Sequence, residues 1–136
     1  MLTVLEKLTL LQKAPLFQGV RTESLARVAA IAQEVQYETN QAIFRENEAA
    51  EALFFVLEGK VSLMRAGRER QQLEANQILG TLPLLAEESY SESALAARPV
   101  RVLQIDQQEL YDAIADDFNL ARGILRALAQ LASRNS

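Results

Sequence analysis

The residues best placed to do chemistry lie in two short runs. These are Leu79-Gly80-Thr81-Leu82-Pro83-Leu84-Leu85 and, a loop later, Glu92-Ser93-Ala94. Gly80 carries no Cβ, so the backbone there can approach another group closely. Leu82 to Ala86 can form a short helix with Thr81 as its N-cap. Pro83 suits the first turn of such a helix, yet it also removes one N–H donor. Thr81 and Ser93 offer hydroxyls that donate and accept, whereas an ionised Glu92 only accepts. The chain has no His and no Cys. Disulfides, thiolate chemistry, Cys/His metal sites and histidine-based catalysis are therefore excluded. No Asp/Asn-rich calcium loop and no paired-carboxylate motif stands out. The expectation is a non-enzyme with no catalytic residue and no metal site.

With 136 residues the chain is of ordinary size for one domain and can bury its own core. Hydrophobic residues make up 49% and charged residues 24%, the balance of a globular protein. A net charge of -4 repels phosphate backbones, so no direct contact with nucleic acid is expected. No apolar run reaches membrane-spanning length, and the N-terminus, which alternates Leu with Thr, Glu and Lys, does not read as a signal peptide. A cytoplasmic chain without a membrane partner is the expectation.

The elements that must position the two runs can be read from periodicity. Leu2, Leu5, Leu8 and Leu11 recur at near-helical spacing until Pro15 stops the helix. Thr22 reads as the N-cap of a second helix with Leu25, Val28, Ala29, Ala32 and Val35 on one face. Short apolar runs then read as strands: Val35 to Glu38, Ala42 to Arg45, Leu53 to Leu57, Lys60 to Arg65, Gln71 to Glu74, Ser93 to Ala97 and Val100 to Ile105. Gly59 and Ala66-Gly67 read as turns, and Arg98-Pro99 separates the last two strands. Asp106-Gln107-Gln108-Glu109 has the form of a capping box opening a helix that buries Leu110, Tyr111 and Ile114. Asp116 and Asp117 can cap a last helix, striped by Leu120, Ile124, Leu128 and Leu131, and the polar tail Ser133 to Ser136 is expected to fray. Helices, then strands, then helices predict an α+β domain over 1–136: helices in 1–35, β-structure in 36–105 and helices in 106–133.

The same order and a set of local motifs resemble the cyclic-nucleotide-binding domains, the sensor fold of catabolite activator protein and the regulatory subunits of cAMP-dependent kinase. Leu11 to Phe17 is similar to the family's lead-in segment, which ends in a Leu-Phe pair. Tyr37 to Phe44 resembles Tyr-x-x-Gly-(Glu/Asp)-x-Ile-Phe, and Arg45 to Glu48 resembles the following Glu-Gly-Asp turn. Leu53 to Val61 resembles (Leu/Tyr)-Tyr-x-Ile-x-x-Gly-x-Val. The resemblance implies a β-roll, a double-stranded jelly-roll-like barrel flanked by N-terminal and C-terminal helices. Asn40, Asn47 and Asn76 stand where the family has Gly, and Asn is the best ordinary substitute at positive φ. Retained turn geometry is the expectation.

Within that resemblance the two opening runs are similar to the family's phosphate-binding cassette, Phe-Gly-Glu-(Leu/Met)-Ala-Leu followed by Arg-(Ser/Thr/Ala)-Ala. The equivalent positions are Gly80, Thr81, Leu82, Glu92, Ser93 and Ala94. The family's Glu accepts from the ribose 2′-hydroxyl and its Arg adds a charge-assisted bond to the phosphate. Here Thr81 and Glu92 take those places, while Ser93 could still donate to a phosphate oxygen. A carboxylate beside a phosphate costs about 4 kcal/mol at ~4 Å and an effective dielectric near 20. No cofactor is therefore expected, with cAMP and cGMP disfavoured. Arg98 and Arg101 are the nearest spare cations but read as solvent-facing. Glu87 and Glu88 read as a solvated acidic loop, Arg65, Arg68 and Arg70 as an exposed hairpin tip, and Tyr90 as a packed or exposed loop residue ahead of the alternative that it stacks on a ligand base. The expected role is a non-enzymatic regulatory module acting through a protein partner or a fused domain. A homodimer could form through the stripe Leu120, Ile124, Leu128 and Leu131. The alternative is a true sensor that holds a cyclic nucleotide atypically or takes a less anionic ligand.

Overall fold

A computed structural model describes residues 1–134 of the chain; Asn135 and Ser136, the end of the tail expected to fray, lie outside the described residues. The described residues form two compact units, one of residues 33–107 and one of residues 1–32 with 108–134.

The first unit is a β-roll made of one antiparallel sheet. Its strands are β1 (Gln33–Tyr37), β2 (Ala42–Phe44), β3 (Ala52–Arg65), β4 (Arg68–Leu73), β5 (Ile78–Leu79) and β6 (Ser93–Asp106). The long strands β3 and β6 pair along their length, from Ala52↔Asp106 to Met64↔Ser93. β1 and β2 pair with β6, while β4 and β5 pair with β3. Those two edges are not paired with each other among the described residues, so the roll is unclosed. Leu53, Phe55, Val56, Val61, Leu103 and Ile105 are fully buried. Each such side chain contributes about 1.5–3 kcal/mol relative to an exposed one.

Three sequence expectations in this unit fail for identifiable reasons. Val35 lies in β1 rather than on a helix, paired with Val102, because the backbone turns extended at Ala32. Gly59 is not a turn but an interior residue of β3, at φ 103°. A Cβ there would lie 2.3 Å from the Pro99 carbonyl oxygen and 2.8 Å from Val100 Cα, so the glycine serves a close approach of β6. Arg98-Pro99 likewise does not divide β6, which runs unbroken past it and absorbs the irregularity as register shifts against Glu58 and Lys60. The turn expectation holds: Asn40, Asn47 and Asn76 have φ of 72°, 73° and 73°. Each donates its N–H across the fold, to the carbonyls of Ala96, Tyr90 and Val56 respectively.

The second unit is helical. α1 (Val4–Leu11) opens with a capping box in which Thr3 and Glu6 bond reciprocally. A 3₁₀ turn follows at Pro15–Phe17. α2 (Thr22–Ile31) begins one residue earlier than a Thr22 cap requires: Arg21 holds the flanking extended position and makes no side-chain cap bond. At the other end of α2 the Lys7 ammonium donates to the Ala32 carbonyl at 2.6 Å. The short helix of the β-roll counts as α3, so the C-terminal pair is α4 (Gln107–Asp116) and α5 (Phe118–Arg134). Asp117 caps α5 by accepting from the Asn119 and Leu120 amides, and it also faces Arg27 at 3.3 Å. Leu120 and Ile124 are buried, so they belong to the core and are not free to form the dimer surface expected of them. Leu128 is half-buried and Leu131 exposed, and the apolar side chains most open on this helix are Phe118 and Leu125.

Candidate functional site

The site is built on α3 (Thr81–Ala86) and the start of β6, both in the β-roll. Gly80, not Thr81, is the N-cap of α3; it sits at φ 81° and accepts from the Leu84 N–H at 3.1 Å. The left-handed cap explains the correction: only the residue at φ 81° can turn the chain from β5 into the helix, which leaves Thr81 as the first helical residue. A Cβ on Gly80 would sit 3.2 Å from both the Ala52 carbonyl oxygen and the Tyr90 ring. Leu84 anchors the helix by full burial, and the Gln107 side-chain amide donates to its carbonyl at 3.0 Å. Glu87 closes the helix in the left-handed region at φ 58°.

The loop after α3 is tied to residues 45–50. Asn47 donates to the Tyr90 carbonyl, Tyr90 donates to the Glu48 carbonyl, and Ala50 donates to the Glu88 carbonyl. Tyr90 is buried, stacks on Phe44 with ring centroids 3.9 Å apart, and donates its hydroxyl to the Ala52 carbonyl at 2.8 Å. It is therefore a packing residue, one of the two roles expected of it. Burial holds the Tyr90 phenol above its ordinary pKa, with the negative charges of Glu51 and Glu48 acting in the same direction. Tyr37 is raised as well, first by burial and then by Tyr90.

The side chains expected at phosphate-binding positions are engaged as follows. Glu92 is about one-fifth exposed and forms an ion pair with Arg70 of β4 at 3.0 Å. The Ser93 Oγ accepts from the Glu46 N–H at 2.9 Å, which leaves its own proton free to donate. Ala94 is fully buried between Phe44 of β2 and Leu63 of β3 in register. Leu82 points to solvent at 69% exposure. The Thr81 hydroxyl oxygen is buried and has no hydrogen-bond partner among the described residues.

Arg70 is the functional candidate that sequence reasoning missed. In sequence it belongs with Arg65 and Arg68 to a hairpin tip, yet its guanidinium reaches Glu92, and Arg65 likewise donates to the Ser91 carbonyl at 3.3 Å. The cations considered as rescue are elsewhere. Arg98 is exposed, and Arg101 is held by Glu34 at 3.2 Å and Glu58 at 3.1 Å, the Glu58 contact being the larger influence that raises its pKa. The sequence signal for Arg70 was weak: 22 residues separate it from Glu92, and β4 and β6 lie on opposite sides of β3. Only the tertiary curl of the sheet brings the pair together.

No group of His, Cys, Asp and Glu able to hold a metal occurs among the described residues, and no described helix is long and apolar enough to cross a membrane.

Comparison with known proteins agrees with this geometry. The CRP-like cAMP-activated global transcriptional regulator of Mycobacterium tuberculosis is 27% identical over 132 residues, covering 93% of this chain and 59% of the relative. The cyclic AMP receptor protein of Thermus thermophilus is 30% identical over 101 residues, covering 71% of this chain and 47% of the relative. The chain thus spans about half to three-fifths of the length of these relatives. Among solved structures, the N-terminal domain of a transcriptional regulator from Streptomyces coelicolor A3(2) superposes with a TM-score of 0.85 at 26% identity, covering 93% of this chain and 94% of that one. The family model of the cyclic nucleotide-binding domain matches residues 34–117, which contain the β-roll from the second residue of β1 through β6, together with α3 and α4. The chain belongs to the cyclic nucleotide-binding domain family.

Proposed function

We propose that this chain is a non-enzymatic regulatory module whose cassette is satisfied by its own Arg70–Glu92 ion pair, and that it lacks ordinary affinity for cAMP and cGMP. It would act through a protein partner or as the regulatory part of a longer protein; the cAMP-activated regulator it resembles is longer, with 59% of its length matched by this chain. The observation that carries the reading is the 3.0 Å contact between Arg70 and Glu92.

That contact also refines the electrostatics. Arg70 offsets the Glu92 carboxylate, so a phosphate arriving there would meet a nearly neutral pair rather than a bare negative charge. The deficit is then chiefly lost attraction. A hydrogen bond to a charged group contributes about 1.5–3 kcal/mol, so one missing arginine corresponds to roughly ten- to a hundredfold in affinity. Thr81 in place of an anionic ribose acceptor removes a second contact of the same kind. Thermal unfolding with and without saturating cAMP or cGMP tests the reading. A ligand at a hundred times its dissociation constant would stabilise the fold by about 2.7 kcal/mol; no shift at micromolar ligand is expected, and a clear shift there would overturn it.

A second reading has one specific observation in its favour: the buried Thr81 hydroxyl without a partner. An unsatisfied buried hydroxyl costs about 1–3 kcal/mol, which a ligand hydroxyl or amide could recover. A less anionic ligand, such as a nucleoside, suits that group and the neutral Arg70–Glu92 pair. Adenosine or guanosine raising the unfolding temperature where cAMP does not would favour this reading over the first, and a Thr81→Val variant should abolish that rise.

A further inference from the structure

A second concavity in the β-roll has a different chemistry from the cassette. It encloses about 370 Å³, at the low end of the range of small-molecule sites. Its lining residues include the aromatic Tyr37, Phe44, Phe54 and Tyr90 and the acidic Glu48 and Glu51, and no Lys or Arg lines it. The aromatic wall is rigid. Phe44 stacks on Tyr90 at 3.9 Å, stands 5.8 Å from Phe54, and the Tyr90 hydroxyl is pinned to the Ala52 carbonyl.

The carboxylates are without countercharge. Glu48 accepts one backbone N–H, from Arg45 at 3.0 Å, and forms no ion pair among the described residues. The Glu51 carboxylate has neither a hydrogen bond nor an ion pair among them. Some acidic side chains of this roll find basic partners, as Glu34 and Glu58 do with Arg101 and Glu92 does with Arg70; Glu48 and Glu51 are among those that do not. Two uncompensated carboxylates beside four aromatic rings repel an anion and attract a cation, which the rings' negative faces also favour.

We propose that this cavity binds an organic cation, a substituted ammonium or guanidinium headgroup, with the rings of Tyr37, Phe44, Phe54 and Tyr90 as the π surface and Glu48 and Glu51 as the charge. Burial keeps both tyrosines protonated well past neutrality, so the rings add no competing titration at physiological pH. The headgroup could come from a free amine or from a Lys or Arg side chain of a protein partner; the chemistry is shared. Because Tyr90 belongs to the cassette loop and Glu48 is bonded to it through the backbone, occupancy would also be felt there. Cation binding here requires no nucleotide in the cassette.

The test is an amide-resolved NMR titration of the full chain with three probes. Choline supplies the free cation, 3,3-dimethylbutanol its neutral isostere, and a blocked Gly-Arg-Gly peptide the side-chain cation. Saturable shifts at Glu51, Ala52 and Tyr90 are expected with at least one cation, at tenfold or greater preference over the neutral isostere. The tighter of the two cations identifies the source. Glu51→Gln should weaken that binding about two- to fivefold, the range for one exposed charge. Tyr37→Leu should weaken it by a similar factor, whereas Tyr37→Phe, which keeps the ring, should not. Equal response to the isostere, no saturable response to either cation, or unchanged affinity in both Glu51→Gln and Tyr37→Leu would overturn the proposal.

Discussion

The three asparagine turns and the cassette are both places where this chain departs from its family's pattern, and they departed in opposite ways. At Asn40, Asn47 and Asn76 a different residue does the same job. The backbone stays at φ near +72° and each N–H still reaches its distant carbonyl. At the cassette the backbone also stays, with Gly80 left-handed and α3 in place, but Thr81 and Glu92 change what the side chains can do. A backbone conformation can be kept by any residue that tolerates it. A residue of opposite sign cannot supply the charge expected at such a position, and here Glu92 is paired with Arg70 instead.

Gly59 marks where tolerance ends and gives the largest expected effect. Asparagine tolerates φ 103° poorly, and its Cβ would meet the Pro99 carbonyl at 2.3 Å. Gly59→Asn should cost at least about 3 kcal/mol in denaturant unfolding, the range of combined strain and overpacking. A loss below about 1 kcal/mol would show that β3 and β6 can separate there without penalty.

At the cassette, Thr81→Glu with Glu92→Arg restores the acceptor and the cation together. About a hundredfold gain in cAMP affinity is expected in calorimetry, from two charge-assisted bonds discounted for the geometry of an unselected site. A folded double variant with no gain would show that the pocket around these positions, and not only their charge, has changed.

For the turns themselves, Asn76→Ala should lose about 1–2 kcal/mol because alanine pays the left-handed penalty. Asn76→Gly should stay within about 0.5 kcal/mol of the parent. Equal losses in the two variants would mean that the asparagine side chain, rather than the backbone angle, holds the turn.

The smallest effect belongs to Arg70→Ala. Its guanidinium is nearly half exposed, so removing it should cost no more than about 1 kcal/mol of stability. The informative readout is a double-mutant cycle of Arg70→Ala with Glu92→Gln in denaturant unfolding, which should show a coupling of up to about 1 kcal/mol; no coupling would mean the pair does not persist in solution.

How far the sequence reached follows the same division. Features set by local backbone preference were legible: the order of elements, the apolar runs inside β3 and β6, the asparagine turns and the Asp117 cap. The unbroken length of β3 was not, since an interior Gly and a turn Gly look alike until the partner strand is known. The signal that an isolated strand glycine marks a close approach was available at Gly59 and was read as a turn. At the cassette, the short helix after Gly80 was legible, but the partners of Glu92 and Ser93 were not. Arg70 and Glu46 reach Glu92 and Ser93 across strands whose register only tertiary structure sets. The stripe of α5 shows the same limit: periodicity found Leu120 and Ile124, but only packing shows that they face inward while Leu125 faces out.

The central claim is that the cassette keeps its shape while its charge is satisfied from within. Calorimetric titration of the full chain with cAMP and cGMP, run beside the Thr81→Glu/Glu92→Arg variant, tests it most directly. No saturable heat for the parent at micromolar ligand, with binding emerging in the variant, is the predicted result; micromolar affinity of the parent for either nucleotide would contradict it.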